Sequence, residues 1–214
     1  MLFGSVVFYD SWKPDCKAWF PLKVIQVEAP DQHVSKQVIQ SRLRPYITQS
    51  FLFIDKKAME HALQTLPWVK FVRVSKKWPD TVVVDIKERI PIARFNESGL
   101  IDDTGSVYYP KKLTQFKLPQ LIGIDGSAKD LLQDFKKMSK MLGNVSLTLD
   151  MLKKETTYTT LSMKDGFEVI LSNNNSIQQL ERFIRIYPEL ANHKSRSLQR
   201  VDLRYKHGLA AQWR

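Results

Sequence analysis

The fold is decided by residues 66–95, which read LPWVKFVRVSKKWPDTVVVDIKERIPIARF. Two runs in this stretch, residues 69–75 and 81–88, are rich in valine and other side chains that favour extended backbone. They predict two strands. The KKWPD sequence between them contains a Pro-Asp pair, which predicts a turn.

The residues before this stretch predict one more strand and two helices. Residues 22–28, LKVIQVE, alternate between apolar and polar side chains, which is typical of a strand with one buried face. Ser35 and Asp55 are the predicted N-caps of the two helices, and Pro45 is expected to end the first. Residues 21–89 therefore predict the order β-α-α-β-β.

After Pro91 the pattern changes to short strands and turns, with two longer helical segments. A helix capped by Ser127 and another beginning at Ser176 each carry an apolar stripe at helical spacing. The chain is expected to end in a hairpin with strands at 200–205 and 209–213. Other strands are predicted at residues 92–95, 100–102, 107–109, 156–163 and 167–171. The fold class is therefore α+β, with a mixed β domain in which two helices pack on an antiparallel sheet.

The chain is strongly basic, with 33 Lys and Arg against 22 Asp and Glu in 214 residues and a formal net charge of +11. This balance favours nucleic acid, anionic lipid or an acidic protein as partner. Arg200, Arg204 and Lys206 lie among aromatic residues and would suit nucleic acid. However, polar side chains alternate with core residues such as Val201 and Tyr205 in any half-buried strand, so we expect no nucleic-acid partner.

No arrangement of residues supports catalysis, a cofactor or a metal site. No glycine-rich loop has the spacing that binds nucleotide phosphates. Asp102 and Asp103 could form a carboxylate pair, but neighbours on a strand point to opposite faces. Cys16 is the single cysteine, which excludes a disulfide and a zinc site of several thiolates. We expect no enzyme and no small-molecule substrate.

The first nine residues, MLFGSVVFY, are uncharged and mostly apolar. They are far too short to span a membrane, which takes about 20 residues. One interpretation is an edge strand or frayed terminus, and the other is the outer end of a membrane anchor whose beginning is missing. In the second case Trp12 and Trp19 would lie at the membrane interface.

Several strings, in this order and spacing, resemble the FtsQ/DivIB family of bacterial cell division proteins. They are LPWV, WPD and IPIAR within residues 66–95, ERFIRIYPEL at 181–190 and VDLRYKHGLAAQW at 201–213. The resemblance implies a single-pass protein of the inner membrane whose periplasmic part is a POTRA domain followed by a β domain. It assigns residues 1–20 to the anchor end and a linker, 21–90 to the POTRA domain and 91–214 to the β domain.

The resemblance also implies a function without catalysis. Members of this family act as a scaffold of the divisome at the septum, where they bind FtsB and FtsL and link early cytoplasmic division proteins to later periplasmic ones. A periplasmic chaperone or transport module that binds extended polypeptides is the alternative function for a POTRA protein. A single POTRA unit with no barrel after it favours the scaffold.

By the resemblance, FtsB adds itself to the last strand of the β domain. An edge strand invites such pairing because its outer N–H and C=O groups lack a neighbour. Tyr205 and Trp213 would be aromatic anchors, with core packing as the alternative for both, and Arg204 would meet acidic residues of the partner. The family's additional arginine near Thr157 and Tyr158 is missing here. The matched partner-binding residues are Arg204, Tyr205, His207, Gly208, Leu209, Ala210, Gln212 and Trp213.

A second family site concerns recruitment to the division site and lies on the second strand of the POTRA domain. Its matched positions are Phe71, Val74 and Lys76. An outward Phe71 would be an exposed apolar residue, whereas Val72 and Val74 are expected to face the core.

Overall fold

The structure is a computed structural model that describes residues 22, 24–28, 33–47, 50–111, 117–191, 197–205 and 208–214, together with the backbone of residues 5–9. It divides the chain into two compact units, Met1–Arg89 and Ile90–Arg214. Each unit is built on its own sheet and has its own hydrophobic core.

In the described part of the N-terminal unit there are four strands, two α-helices and a short 3₁₀ helix. Its elements are β1 (Ser5–Tyr9), β2 (Val24–Glu28), α1 (Lys36–Ile47), a 3₁₀ helix (Phe51–Phe53), α2 (Lys56–Gln64), β3 (Val69–Lys77) and β4 (Thr81–Glu88). The strands lie in the order β1-β2-β4-β3, with β2 parallel to β4 and the other pairs antiparallel. The predicted β-α-α-β-β order is confirmed.

Alternation along β3 and β4 builds the core of this unit. Val72 of β3 and Val84 of β4 are buried, together with Leu43 of α1 and Met59 of α2. Asp55 caps α2 as predicted, because its carboxylate accepts a hydrogen bond from the backbone N–H of Ala58 at 3.1 Å. The cap fixes the direction in which α2 leaves the 3₁₀ helix.

The end of α1 differs from the prediction. Pro45 lies inside the helix, which ends at Ile47, so the expected end at Pro45 is wrong. A proline removes one helical hydrogen bond and crowds the preceding turn. This cost is confined to the last turn here, because only two residues of the helix follow Pro45.

The backbone of residues 5–9 forms β1, an edge strand that pairs with β2 from Ser5 opposite Glu28 to Tyr9 opposite Val24. This extended backbone agrees with the first of the two interpretations, an edge strand. Pairing with β2 gives partners to the N–H and C=O groups of a run that is too short for a stable isolated helix. Within the described ranges, no helix combines the length and the apolar composition that crossing a membrane requires.

Among its described residues, the C-terminal unit has nine strands and two α-helices. They are β5 (Pro91–Phe95), β6 (Gly99–Asp102), β7 (Val107–Tyr108), β8 (Gln120–Ile122), α3 (Ala128–Gly143), β9 (Leu149–Lys154), β10 (Tyr158–Met163), β11 (Glu168–Ser172), α4 (Ser176–Ala191), β12 (Leu198–Asp202) and β13 (Ala210–Trp213). One sheet contains all nine strands, in the order β13-β12-β11-β10-β9-β8-β5-β6-β7.

This sheet is mixed, so the expectation of an antiparallel sheet is wrong in one respect. The pairs β5–β8, β8–β9 and β11–β12 are parallel, and the remaining pairs are antiparallel. The physical reason for the second and third of these parallel pairs is the placement of the helices. The segment with α3 connects β8 to β9 and the segment with α4 connects β11 to β12, and a helical crossover is the usual connection between parallel neighbours.

Two strands, β8 and β9, were absent from the sequence prediction. β8 has only three residues, which is too few to show an alternating pattern. In β9 the buried residues Leu149 and Leu152 lie three apart because the pairing with β10 shifts register between Ser162 and Met163. Such an irregularity breaks the period of two that identifies a strand.

The core of this unit lies between the sheet and the two helices. Leu131 of α3 and Phe183 of α4 are fully buried and belong to one cluster with Val169, Val201 and Leu203. α3 and α4 contact each other, so they cover the same face of the sheet. α4 also contacts the segment that follows β12, through Arg182.

Candidate functional site

The last hairpin lies at one end of the nine-stranded sheet. β12 pairs parallel with β11 on one side and antiparallel with β13 on the other, from Leu198 opposite Trp213 to Asp202 opposite Ala210. Of the strands in the described part of the chain, only β12 pairs with β13. β13 is therefore an edge strand.

The hairpin is displaced from its predicted limits. β12 ends at Asp202 instead of residue 205, and residues 203–209 connect it to β13. The N–H of Leu203 still donates to the carbonyl oxygen of Ile170 in β11, at 2.9 Å. Beyond this bond the chain leaves the sheet, and its carbonyl groups are bound by a side chain of α4 instead.

The backbone of β13 presents hydrogen-bonding groups to both sides. The N–H of Arg214 donates to the carbonyl oxygen of Ser197, at 2.8 Å, which places the groups of Arg214 on the β12 side. Because successive residues of a strand alternate, Gln212 also points to β12, and Ala211 points to the opposite side. The N–H and C=O of Ala211 thus face away from the sheet.

The predicted partner-binding residues occupy the connection and β13. Tyr205 is 60% exposed, so core packing is excluded for this side chain. Leu209 and Trp213 are half-buried, and Leu209 packs against the core. His207 and its neighbour Lys206 lie outside the described residues. The exposed members are Arg204, Tyr205, Gly208, Ala210 and Gln212.

Arg182 of α4 holds the connection between the two strands. Its Nη2 donates to the carbonyl oxygens of Leu203, Tyr205 and Gly208, at 3.1, 3.2 and 3.2 Å. Hydrogen bonds from a charged donor are stronger than neutral ones. They fix the path of the backbone on both sides of residues 206–207. Sequence reasoning missed Arg182, because nothing in the local pattern of α4 indicates a partner 21 to 26 residues away.

Arg204 forms an ion pair at the end of β12. Its Nη2 donates to Oδ2 of Asp202 at 2.7 Å, and its Nε donates to Oδ1 at 3.0 Å. The side-chain hydrogen bond from Arg204 lowers the pKa of Asp202. The guanidinium also lies 5.4 Å from the centre of the Tyr158 ring. Tyr158 therefore supports Arg204 through a cation–π contact. It lies in the strand segment where the additional arginine implied by the resemblance is missing.

The second predicted site lies on β3. Phe71 is 40% exposed, as expected, and the guanidinium of Arg73 lies 5.7 Å from its ring centre. Lys76 is half-buried, with its Nζ donating to the carbonyl oxygen of Leu52 at 2.9 Å. Val74 is buried in the core, so its side chain is not available to a partner.

β3 is an edge strand too, but its outer edge is occupied. The N–H of Val74 donates to Oε1 of Glu60, a residue of α2, at 2.8 Å. A backbone donor that would otherwise accept an added strand is therefore bound within the unit. This bond distinguishes the edge of β3 from the edge of β13.

The carboxylates that were considered for catalysis have a structural role. Asp102 is fully buried, and its Oδ1 accepts hydrogen bonds from the N–H groups of Thr104 and Ser106, each at 3.0 Å. Asp103 is exposed. Asp102 stabilises the turn between β6 and β7, and the two carboxylates do not face a common site.

Comparisons with known proteins identify both units. Residues 20–89 match the model of the POTRA domain, FtsQ-type, and residues 93–204 match that of the cell division protein FtsQ/DivIB, C-terminal. The second match ends before β13 begins.

Curated relatives extend the similarity over the whole chain. The cell division protein FtsQ of Alcanivorax borkumensis is 30% identical over 223 residues, covering 100% of this chain and 86% of the relative. That of Thioalkalivibrio sp. is 29% identical and covers 90% of this chain and 81% of the relative. That of Escherichia coli is 34% identical over 70% of this chain and 56% of the relative. The chain therefore belongs to the FtsQ/DivIB family of cell division proteins.

Proposed function

We propose that this protein is a non-catalytic scaffold of the divisome that binds FtsB and FtsL through β13. In this role it links early cytoplasmic division proteins to later periplasmic ones. It is held in the inner membrane by an N-terminal anchor, with most of the chain in the periplasm at the septum.

The observation that carries the proposal is that, among the described strands, none pairs with the outer side of β13. Ala211 directs its N–H and C=O away from β12, so an extended segment of a partner can continue the sheet. Backbone pairing of this kind supplies affinity without requiring a deep pocket. Side chains that flank the strand then select the partner.

Two other sheet edges, those of β3 and β7, support pairing less well. The outer edge of β3 is occupied at Val74 by Glu60. β7, at the far end of the nine-stranded sheet, has only two residues. β13 has four residues, and the connection that leads to it contains the exposed Tyr205. Among these three edges, β13 best fits a strand that is added by a partner.

Electrostatics favour an acidic segment beside β13. Arg204 is fixed by Asp202 through Nε and Nη2, which leaves its Nη1 directed elsewhere. An arginine held in one orientation loses little conformational entropy when it binds a second carboxylate. We therefore expect the partner segment to carry Asp or Glu close to Arg204.

The test is capture of the FtsB–FtsL complex from the same organism by the purified chain. Ala211→Pro removes the outward N–H and leaves the bonds between β12 and β13 in place. It should weaken capture about tenfold, the equivalent of one backbone hydrogen bond of about 1.4 kcal/mol. Ala211→Val keeps the N–H and is the matched control. Tyr205→Ala combined with Trp213→Ala tests the side chains.

Two outcomes contradict the proposal. If Ala211→Pro and the double variant both capture the complex as the native chain does, the binding site lies elsewhere. If the native chain binds unrelated unfolded polypeptides as tightly as FtsB–FtsL, the chaperone or transport function replaces the scaffold.

We also propose that Phe71 and Lys76 form the recruitment surface on β3. Phe71 supports this because an exposed phenylalanine beside Arg73 is a typical protein contact. A fluorescent fusion that carries Phe71→Ala should reach the septum less often than the native fusion, and Ser75→Ala, on the same strand, should behave as native. Equal recruitment of both fusions contradicts this surface.

A further inference from the structure

Two adjacent segments of the N-terminal unit each carry an exposed aromatic side chain, and the buried ring of Phe51 joins them. We name them, residues 51–57 and 76–80, the aromatic tip. Phe53 is 80% exposed and Trp78 is 64% exposed, and the Phe51 and Trp78 rings meet edge to face with centroids 5.2 Å apart. The hydrogen bond from Lys76 to the carbonyl oxygen of Leu52 also joins the segments. Large apolar residues at this exposure and spacing indicate a contact surface.

The aromatic tip carries an excess of positive charge. Its cations are Lys56, Lys57, Lys76 and Lys77, and its anions are Asp55 and Asp80. Both carboxylates accept hydrogen bonds within the tip or beside it, Asp55 from the N–H of Ala58 and Asp80 from the hydroxyl of Thr81. Lys56, Lys57 and Lys77 are exposed. The surface is therefore complementary to an anionic partner.

We propose that the aromatic tip binds the surface of an anionic lipid bilayer. Trp78 and Phe53 would enter the interfacial region, where an aromatic ring can lie between headgroups and acyl chains. Lys56, Lys57 and Lys77 would extend toward lipid phosphates, since a flexible lysine can place its charge at the headgroups while its stem stays in apolar surroundings.

The composition of the tip favours lipid over an acidic protein. All of its cations are lysine and none is arginine, although arginine is the residue that binds carboxylates in a fixed bidentate geometry at protein interfaces. A bilayer needs no such geometry. It accepts flexible point charges around any exposed aromatic side chain.

The tip lies at the end of the sheet where β2 and β4 begin. The N–H of Val24 donates to the carbonyl oxygen of Asp80 at 3.3 Å, and Val24 pairs with Thr81. Tyr9, the last residue of β1, pairs with Val24 at the same end. The inference rests on the proposed location at the inner membrane, since it needs a bilayer within reach, but not on binding through β13.

The experiment is flotation of the purified full chain with lipid vesicles. In one arm about a third of the lipid is phosphatidylglycerol and the rest phosphatidylcholine, and in the other all of it is phosphatidylcholine. The native chain should bind the anionic vesicles, more weakly at high salt. Phe53→Ser combined with Trp78→Ser should reduce binding at least tenfold, and Lys56→Glu combined with Lys57→Glu should do the same. Tyr109→Ser, an exposed aromatic of the other unit, is the control and should bind as native.

The outcomes are distinguishable from those of the proposed function. Absence of native binding to anionic vesicles at low salt, or equal binding by the native chain and the tip variants, overturns the inference. Capture of an acidic protein by the tip without lipid binding overturns it as well. Capture of FtsB–FtsL should be unchanged in the tip variants. If the native chain fails to capture FtsB–FtsL, the scaffold function is contradicted. The lipid-binding measurement then still tests the aromatic tip independently.

Discussion

Replacing Arg182 with methionine should open the connection between β12 and β13 while the rest of the unit stays folded. Methionine keeps an unbranched apolar side chain and removes the guanidinium that donates to Leu203, Tyr205 and Gly208. The connection and the start of β13 depend on those bonds. The core beneath them, with Val201 and Leu203, does not.

The expected loss of stability of the connection follows from the number of N–H groups that Nη2 of Arg182 can donate. One Nη2 atom has two N–H groups, so its three contacts amount to two full hydrogen bonds, each about 1.5–3 kcal/mol for a charged donor. Tyr205 and Gly208 are exposed, so water can replace part of this interaction. We expect the closed connection to lose about 2 kcal/mol, which corresponds to an about thirtyfold larger population of the open connection.

The assay is hydrogen exchange measured by mass spectrometry on peptides that cover residues 203–213, without any partner. Arg182→Met should exchange about thirtyfold faster there and at the native rate in β9 and β10. Arg182→Lys keeps one charged donor and should lie between the two. Arg185→Met changes an exposed arginine of the same helix and should leave exchange unchanged. Native exchange rates in Arg182→Met, or equal acceleration in Arg185→Met, would refute the role of Arg182.

Two further predictions concern carboxylates. The hydrogen bond from Arg204 holds the pKa of Asp202 below its usual 3.8, so the contribution of this ion pair to stability should persist at neutral pH and disappear only as the pH falls through the lowered value. A carbon-13 NMR titration should show that pKa rising in Arg204→Met; an unchanged value would contradict the pairing. Asp102→Ala should cost about 3 kcal/mol of unfolding free energy in urea, because it leaves the N–H groups of Thr104 and Ser106 without their buried acceptor, and native stability would show that water replaces the carboxylate.

Local patterns predicted the elements that are long and regularly periodic. The limits of β4 were predicted to the residue, since β-branched side chains alternate along it and Pro-Asp marks its start. The cap at Asp55 was predicted because capping depends on a short-range side-chain contact. β8 and β9 were missed because one is short and the other is irregular.

The site was predictable only in part. The sequence showed that the chain ends in a hairpin, and the strings at its end resembled a family that binds partners there. Extending the alternation to residue 205 placed Tyr205 in the core, whereas β12 ends at Asp202 and Tyr205 is exposed. The end of β12 depends on Ile170 and Arg182, which are distant in sequence. Short-range patterns contain no information about such contacts.

The bond from Glu60 to Val74 bears on how copies of the protein avoid one another. A molecule with two different sheet edges that are able to pair can associate head to tail with its copies, and such an assembly can grow into an open filament. Glu60 makes the edge of β3 less available for this association, because its carboxylate already accepts the hydrogen bond from the N–H of Val74. Many copies at high local concentration are then not expected to form filaments through β3.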